Sequence, residues 1–366
     1  MQYINTLNDE LKNYLLILCK NDKKTFEELS KYLNDYINTK PLQRLKGVGQ
    51  FCGVDYQKLP IHDVKYWYSR LDHSIVCAFM AYNYTKDLKQ TLGALFHDVG
   101  TPAFSHCIDF MLNDAENQES SEKNIEEIIS NSNEVLTLLE RDNITLEEIT
   151  KIEKYPIVEN KKPKICVDRL DGILTTGLIW GRFWKLEDIE EIYNSTIISK
   201  NEINNDEITF NNKQIAEKFF EGSYKYSIML QSNEDKLSMK FLGDIVKKAI
   251  NENIITFEDL YKVSEKEIIQ KLEKSNNDRV LEMWNIFKNL DKVYNSDERV
   301  EGKYCISLDS KKRYVNPLCN IDTKINRLCD ISLKSANLLK EYMNYQDKKY
   351  AYIDYDINNK IKKIEF

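Results

Sequence analysis

Three of the four histidines in this 366-residue chain, His73, His97 and His106, fall between Ser69 and Asp109, each in apolar sequence where an imidazole needs a reason. His97 is followed directly by Asp98, and Asp109 stands three residues after His106. Imidazole nitrogens combined with carboxylate oxygens suit a divalent metal ion with open positions for water and a substrate oxygen. Such an ion makes water a better nucleophile and polarises a substrate atom held beside it.

Two helices must position these groups. Leu71, Ile75, Phe79 and Tyr82 recur at helical spacing, as do Leu92, Leu95, Phe96 and Val99, which predicts two buried helices with His73 on the first and His97-Asp98 on the second. Ligands from both then converge in the groove between them. After His106 the chain reads as helical again, so Asp109 shares its face. The other His-Asp pair, His62-Asp63, follows Pro60 in a polar stretch with no apolar helical flank, and reads as a loop.

Longer fragments narrow the chemistry. Arg70-Leu71-Asp72-His73-Ser74 resembles an R-L-E-H-S motif, Leu95-Phe96-His97-Asp98-Val99-Gly100 resembles L-L-H-D-I-G, and Phe104-Ser105-His106 matches F-S-H. Asp168-Arg169-Leu170-Asp171 resembles a D-R-x-D segment, and upstream Gln43-Arg44-Leu45-Lys46 is similar to Q-R-L-R, with Gln50 where that segment has Q-x-G. In this order the fragments resemble the HD-domain superfamily of metal-dependent phosphohydrolases, from about Thr39 to Asp171. The resemblance implies a mostly α fold: an HD-domain helical core with a C-terminal helical lobe carrying short β-hairpins. It implies His73, His97, Asp98 and Asp168 as ligands of one divalent metal ion (Mn, Mg, Fe, Ni or Zn), and His106, Asp109 and Glu122 as catalytic groups. Arg44 and Gln50 become pocket residues, and Arg70 and Arg169 become phosphate clamps through their bidentate donors.

By motif the nearest branch is the deoxynucleoside triphosphate triphosphohydrolases, which release inorganic triphosphate. Where that branch carries a histidine after H-D-x-G this chain has Thr101, its H-E pair reads Ser121-Glu122, and its D-R-x-D-Y-x-x-R-D run ends here in Thr175-Thr176. The expected substrate is therefore a nucleotide. The alternatives are another phosphate ester and a nucleotide-sensing scaffold without turnover.

The stretches predicted are N-terminal helices over 1–38, an HD core over 39–185 and a mixed helix and hairpin lobe over 186–366. In the first, Leu11, Tyr14, Leu15 and Leu18 form one apolar stripe and Phe26, Leu29, Tyr32 and Leu33 another. In the lobe, Ile197-Ile198 and Ile208-Phe210 flank a hairpin turn at Asn204-Asp206, and Tyr304–Leu308 with Arg313–Val315 reads as a second hairpin. Helices are predicted over about 212–223, 226–251 and 256–272, and a strand over 350–355. Net charge is −7, from 52 Lys plus Arg against 59 Asp plus Glu, so composition lends no support to a nucleic-acid partner. No run reaches the ~18 apolar residues of a membrane span. The eight cysteines contain no C-x-x-C pair, which points to reduced thiols and a cytoplasmic protein. A homo-oligomer fits the resembled branch.

Overall fold

The structure, a computed structural model, describes residues 3–116 and 124–356. Helices α1 (Asp9–Leu18) and α2 (Lys23–Ile37) begin at Asn8 and Asp22, whose side chains accept from the backbone N–H groups of Leu11 and Lys24. The short α3 (Lys40–Leu45) leads to a loop that ends at Ser69. Helices α4 (Arg70–Thr85) and α5 (Leu88–Phe96) then pack side by side. Every residue of α4 from Arg70 to Ala81 is buried, so this helix is core all round rather than amphipathic. Around it come α6 (Cys107–Met111), α7 (Ile125–Ser130), α8 (Asn133–Arg141), α9 (Leu146–Thr150) and α10 (Val167–Thr175). Helix α10 packs on α4 and runs into a π-helical turn, Thr176–Trp180.

The C-terminal lobe holds α11 (Leu186–Asn194), α12 (Lys213–Gln231), α13 (Asn233–Asn251), α14 (Asp259–Lys262), α15 (Glu265–Glu273), α16 (Asp278–Asn289), α17 (Leu328–Ile331) and α18 (Leu333–Asn344). Its strands are β1 (Thr196–Lys200), β2 (Asp206–Phe210), β3 (Tyr294–Ser296), β4 (Lys303–Ile306), β5 (Leu318–Ile321), β6 (Lys324–Arg327) and β7 (Tyr350–Asp356). They form one sheet of order β1-β2-β5-β6, in which β2 and β5 are parallel, and one antiparallel sheet of order β3-β7-β4. Buried residues from all three predicted stretches join a single hydrophobic cluster. The lobe reaches the HD core through α13, which lies against α6. A Cβ on Gly243 would stand 2.8 Å from the Cys107 carbonyl oxygen, so this close approach needs glycine.

The mostly α fold agrees with the sequence, as does the first hairpin, which pairs Thr196 with Phe210 and Lys200 with Asp206. The second hairpin is a correction. Residues 303–306 pair with β7, and Arg313–Val315 forms no strand. The segment is held elsewhere: Arg313 N–H donates to the Tyr342 hydroxyl at 3.0 Å, and on its flanks Lys311 N–H donates to the Ala115 carbonyl at 3.2 Å and Asn316 N–H to the Pro163 carbonyl at 2.8 Å. The break between α12 and α13 falls at Ser232, whose hydroxyl accepts from Asp235 N–H. The helix predicted over 256–272 is interrupted at Val263, and Ser264 restarts it with a capping box to Glu267. Helix α5 stops at Phe96, which leaves His97 and Asp98 in the turn beyond it rather than within the helix. Pro102, four residues past Asp98, cannot extend a helix ladder. His62, read as part of a loop, does lie in an irregular segment, on the short turn Pro60–His62, yet it is 1% exposed.

Candidate metal centre

His73 sits one turn into α4, and the start of that helix is fixed by a reciprocal cap. The Ser69 hydroxyl accepts from Asp72 N–H at 3.1 Å while Asp72 accepts from Ser69 N–H at 2.9 Å. The fully buried ring lies between two carboxylates of α10, with Nδ1 2.6 Å from Asp171 Oδ2 and Nε2 3.0 Å from Asp168 Oδ1. Asp171 also accepts from the Tyr14 hydroxyl at 3.0 Å and the Tyr68 hydroxyl at 2.9 Å. His97 Nδ1 donates to the Ala94 carbonyl at 2.7 Å, which turns Nε2 toward the same space, and that buried nitrogen has no hydrogen-bond partner. His97 Nε2 is 3.8 Å from both Asp98 Oδ2 and Asp168 Oδ1, and His73 Nε2 is 4.0 Å from Asp98 Oδ2.

The four imidazole–carboxylate pairs of this cluster are thus separated by 3.0 to 4.0 Å. Neighbouring ligands of an ion with bonds of about 2.1 Å lie roughly 3 Å apart, so the donor set fits a divalent cation. Each imidazole has its far nitrogen tied to another acceptor, which sets the tautomer a metal requires. Burial alone would raise the carboxylate pKa values. For Asp98 the Arg70 guanidinium and the two imidazoles outweigh burial, and for Asp168 the hydrogen bond to His73 and the charges of both imidazoles do so, which holds both acids well below the usual range. Burial works against charge on His73 and His97 too, yet neighbouring acidic groups raise both. The cluster favours positive charge at its centre.

Cys77, one turn after His73, is close enough to form a softer set with the two imidazoles. Its thiol lies 3.7 Å from His73 Nε2, and burial pushes it up to about 12. A thiol that keeps its proton is a poorer ligand than two ionised carboxylates, so the His-Asp set is the better assignment. Glu159, Cys166 and Asp168 form a second possible group, in which burial and then Asp168 push Glu159 up to about 7.

His106 lies at the N-terminal end of α6. Its Nδ1 is 2.9 Å from Asp109 Oδ2, and Asp109 is buried. Burial lowers His106 to about 4, helped by the charges of Arg313 and Arg70 and opposed by Asp109. The imidazole is therefore neutral at pH 7. Arg70 donates to Asp98 at 2.7 Å and to the Ser105 hydroxyl at 3.2 Å. Arg44 donates to the carbonyls of Val99 and Thr101 at 3.0 and 2.6 Å, while its Nη1 is buried without a partner. Gln50 has its backbone N–H on the Tyr68 carbonyl and its Oε1 buried without a partner. Arg169 is engaged with Glu159, Asn160 and the Lys164 carbonyl, where it fastens the loop that precedes α10. Glu122 lies outside the described residues.

The residues from 70 to 175 match the family model described as HD domain. This segment is an HD domain. It contains all four candidate ligands along with His106 and Asp109, whereas Arg44 and Gln50 precede it. The chain is 25% identical over 326 residues to the uncharacterized protein YdhJ of Bacillus subtilis, covering 88% of this chain and 94% of that protein. It is also 25% identical over 168 residues to the metal-dependent phosphohydrolase cns2 of Cordyceps militaris, covering 44% and 45%. Among solved structures, a hypothetical protein from Aquifex aeolicus has a TM-score of 0.61 at 15% identity, over 87% of this chain and 91% of that one. A phosphohydrolase from Bacteroides thetaiotaomicron has a TM-score of 0.57, also at 15% identity, over 87% and 94%. The shared fold thus extends past the HD domain into the C-terminal lobe.

Sequence reasoning missed the braces of the HD domain. Asp171 lay in view inside D-R-x-D, three residues from Asp168, and helical spacing puts both on one face. Tyr14 and Tyr68 carried no signal beyond their apolar surroundings.

Proposed function

We propose that the protein is a metal-dependent phosphohydrolase acting on nucleotides, related in chemistry to the deoxynucleoside triphosphate triphosphohydrolases. The observation that carries this reading is the convergence of His73, His97, Asp98 and Asp168 in the same domain as His106, which is braced by Asp109. When bound there, the ion supplies Lewis acidity and lowers the pKa of water. The protein's own groups do the rest. Asp109 fixes His106 Nδ1–H, and Nε2, neutral at pH 7, is poised to take a proton from the attacking water rather than to arrive charged. Such a residue contributes roughly 10²–10⁴-fold.

Positive charge flanks the reaction. Arg70 sits against Asp98, and the strap that carries Lys311-Lys312-Arg313 is tied to the backbone of the HD core at Ala115 and Pro163. Its Arg313 charge is felt at His106. Arg44 Nη1 and Gln50 Oε1, buried without partners, are the groups we assign to the base or sugar, because buried polar atoms rarely stay unpaired.

Thr101 favours a second reading, hydrolysis of another phosphate ester. Its hydroxyl donates to Asp98 Oδ1 at 3.0 Å and it is fully buried, so it does not replace the histidine that the triphosphohydrolase branch has there. A turnover screen with Mn²⁺ or Mg²⁺ against dNTPs, NTPs, monophosphates and cyclic nucleotides, with Asp98→Ala as control, separates the two. Inorganic triphosphate released only by the protein with Asp98 intact supports the first. Orthophosphate or a linear nucleotide supports the second, and silence across the panel with metal bound overturns both.

A further inference from the structure

Glu265 opens α15 in the C-terminal lobe and is fully buried. Its Oε1 accepts from the backbone N–H groups of Gly49, at 3.0 Å, and Phe104, at 2.9 Å, and its Oε2 accepts from the Tyr56 hydroxyl at 3.0 Å. Its own N–H donates to the Gly47 carbonyl at 2.9 Å. One carboxylate from the lobe thus joins the loop that carries Gln50 to the segment that carries His106. Three donors offset the penalty of burying an acid, although burial still pushes its pKa up to about 7.

The held segment is strained. Phe104 and Ser105 have φ of +62° and +48°, a left-handed conformation that bulky residues rarely adopt unless their surroundings impose it. They stand immediately before His106. The Ser105 hydroxyl donates to the Gly49 carbonyl at 3.3 Å and accepts from Arg70 Nε, and Arg70 in turn grips Asp98. Contacts therefore run without a gap from Glu265 to a metal-ligand candidate, and along the backbone to His106.

We propose that Glu265 is a positioning residue: it clamps the Gly49 loop to the left-handed Phe104-Ser105 pair and so fixes the directions in which His106 and Arg70 face the reacting phosphate. This rests on the phosphohydrolase reading only for the phosphate; the clamp itself is independent of it. The alternative, an inert buried helix start, makes a different prediction.

The test compares Glu265→Ala and Glu265→Gln in the full chain, well below the melting temperature. Glu265→Ala is expected to keep its metal content and lose kcat on the order of 10²-fold, the scale of a displaced catalytic group. Glu265→Gln keeps an oxygen for both amides and is expected to recover most of that loss. The second readout needs no turnover: with only four histidines, ¹⁵N-histidine spectra of the metal-free protein resolve each ring. Glu265→Ala should shift or broaden His106 while His73, braced by Asp171, stays in place. An unmoved His106 signal overturns the proposal whatever kcat does, as does a kcat loss that merely tracks the unfolded fraction. A wild-type protein that hydrolyses no phosphate ester defeats the proposed function but leaves the His106 spectrum to decide the clamp.

Discussion

His62-Asp63 and His97-Asp98 are the same dipeptide folded into opposite surroundings. At the first, the turn after Pro60 sends the imidazole inward and the carboxylate outward, where Asp63 meets Arg182 at 2.9 Å. His62 lies 3.3 Å from Gln57 Oε1 and 3.4 Å from Asp235 Oδ1, with the Trp180 ring centroid 5.7 Å away. At the second, both side chains turn inward and meet a second imidazole and a second carboxylate. Both His62 Nε2 and His97 Nε2 are buried without a hydrogen-bond partner, so an orphaned nitrogen alone does not define a metal site. What separates the two regions is the number of donors that converge, since each ring has its Nδ1 held from behind.

The comparison breaks most sharply at Asp168. Replacing it with alanine should abolish metal binding and turnover together, read by metal analysis and by the product screen; a variant with full metal content would remove Asp168 from the ligand set. A smaller and more discriminating effect is expected from the acids behind the rings. Asp171→Asn should weaken metal affinity by roughly 10–100-fold, the scale for partners that orient a ligand. Asp235→Asn, the matching change at His62, should leave affinity untouched and alter stability by about 1–2 kcal/mol. Equal effects on metal titration would erase the distinction drawn between the two histidines.

The last effect bears on stability alone and concerns Asp55, whose charge interacts with His62. Burial pushes its carboxyl up to about 6 from 3.8, and its Oδ1 has no partner. The folded state binds this proton more tightly than the unfolded one, so the contribution to stability is present below pH 3.8 and is lost as pH rises through about 6. Asp55→Asn should therefore stabilise the fold at pH 7–8 by about 2–3 kcal/mol, read as a higher melting temperature, and change it little near pH 4. A gain that is equal at both pH values would contradict the assignment.

Local signals in the sequence reached far into this site. The apolar spacing around His73 and the turn chemistry after Phe96 are properties of adjacent residues, and the four expected ligand side chains lie together. What stayed hidden depends on contacts between distant segments. Nothing near Tyr14 announces that its hydroxyl will reach Asp171, and nothing in Tyr304–Ile306 says that its strand partner is Ala351–Ile353 rather than the nearer Arg313–Val315. Strand alternation reports a half-buried surface without naming the neighbour. Glu265 was hidden for another reason: beside Ser264 and Glu267 it looks like one more acid in a helix's first turn, a position where acids are expected anyway.

The Glu265 clamp also sets an order of events during synthesis. By the time α10 has left the ribosome, His73, His97, Asp98, Asp168 and the Tyr14 and Asp171 braces have all been synthesised. Phe104 and Gly49 must wait for α15 before anything holds them. The growing polypeptide therefore contains every candidate ligand well before it contains the carboxylate that holds the segment leading to His106.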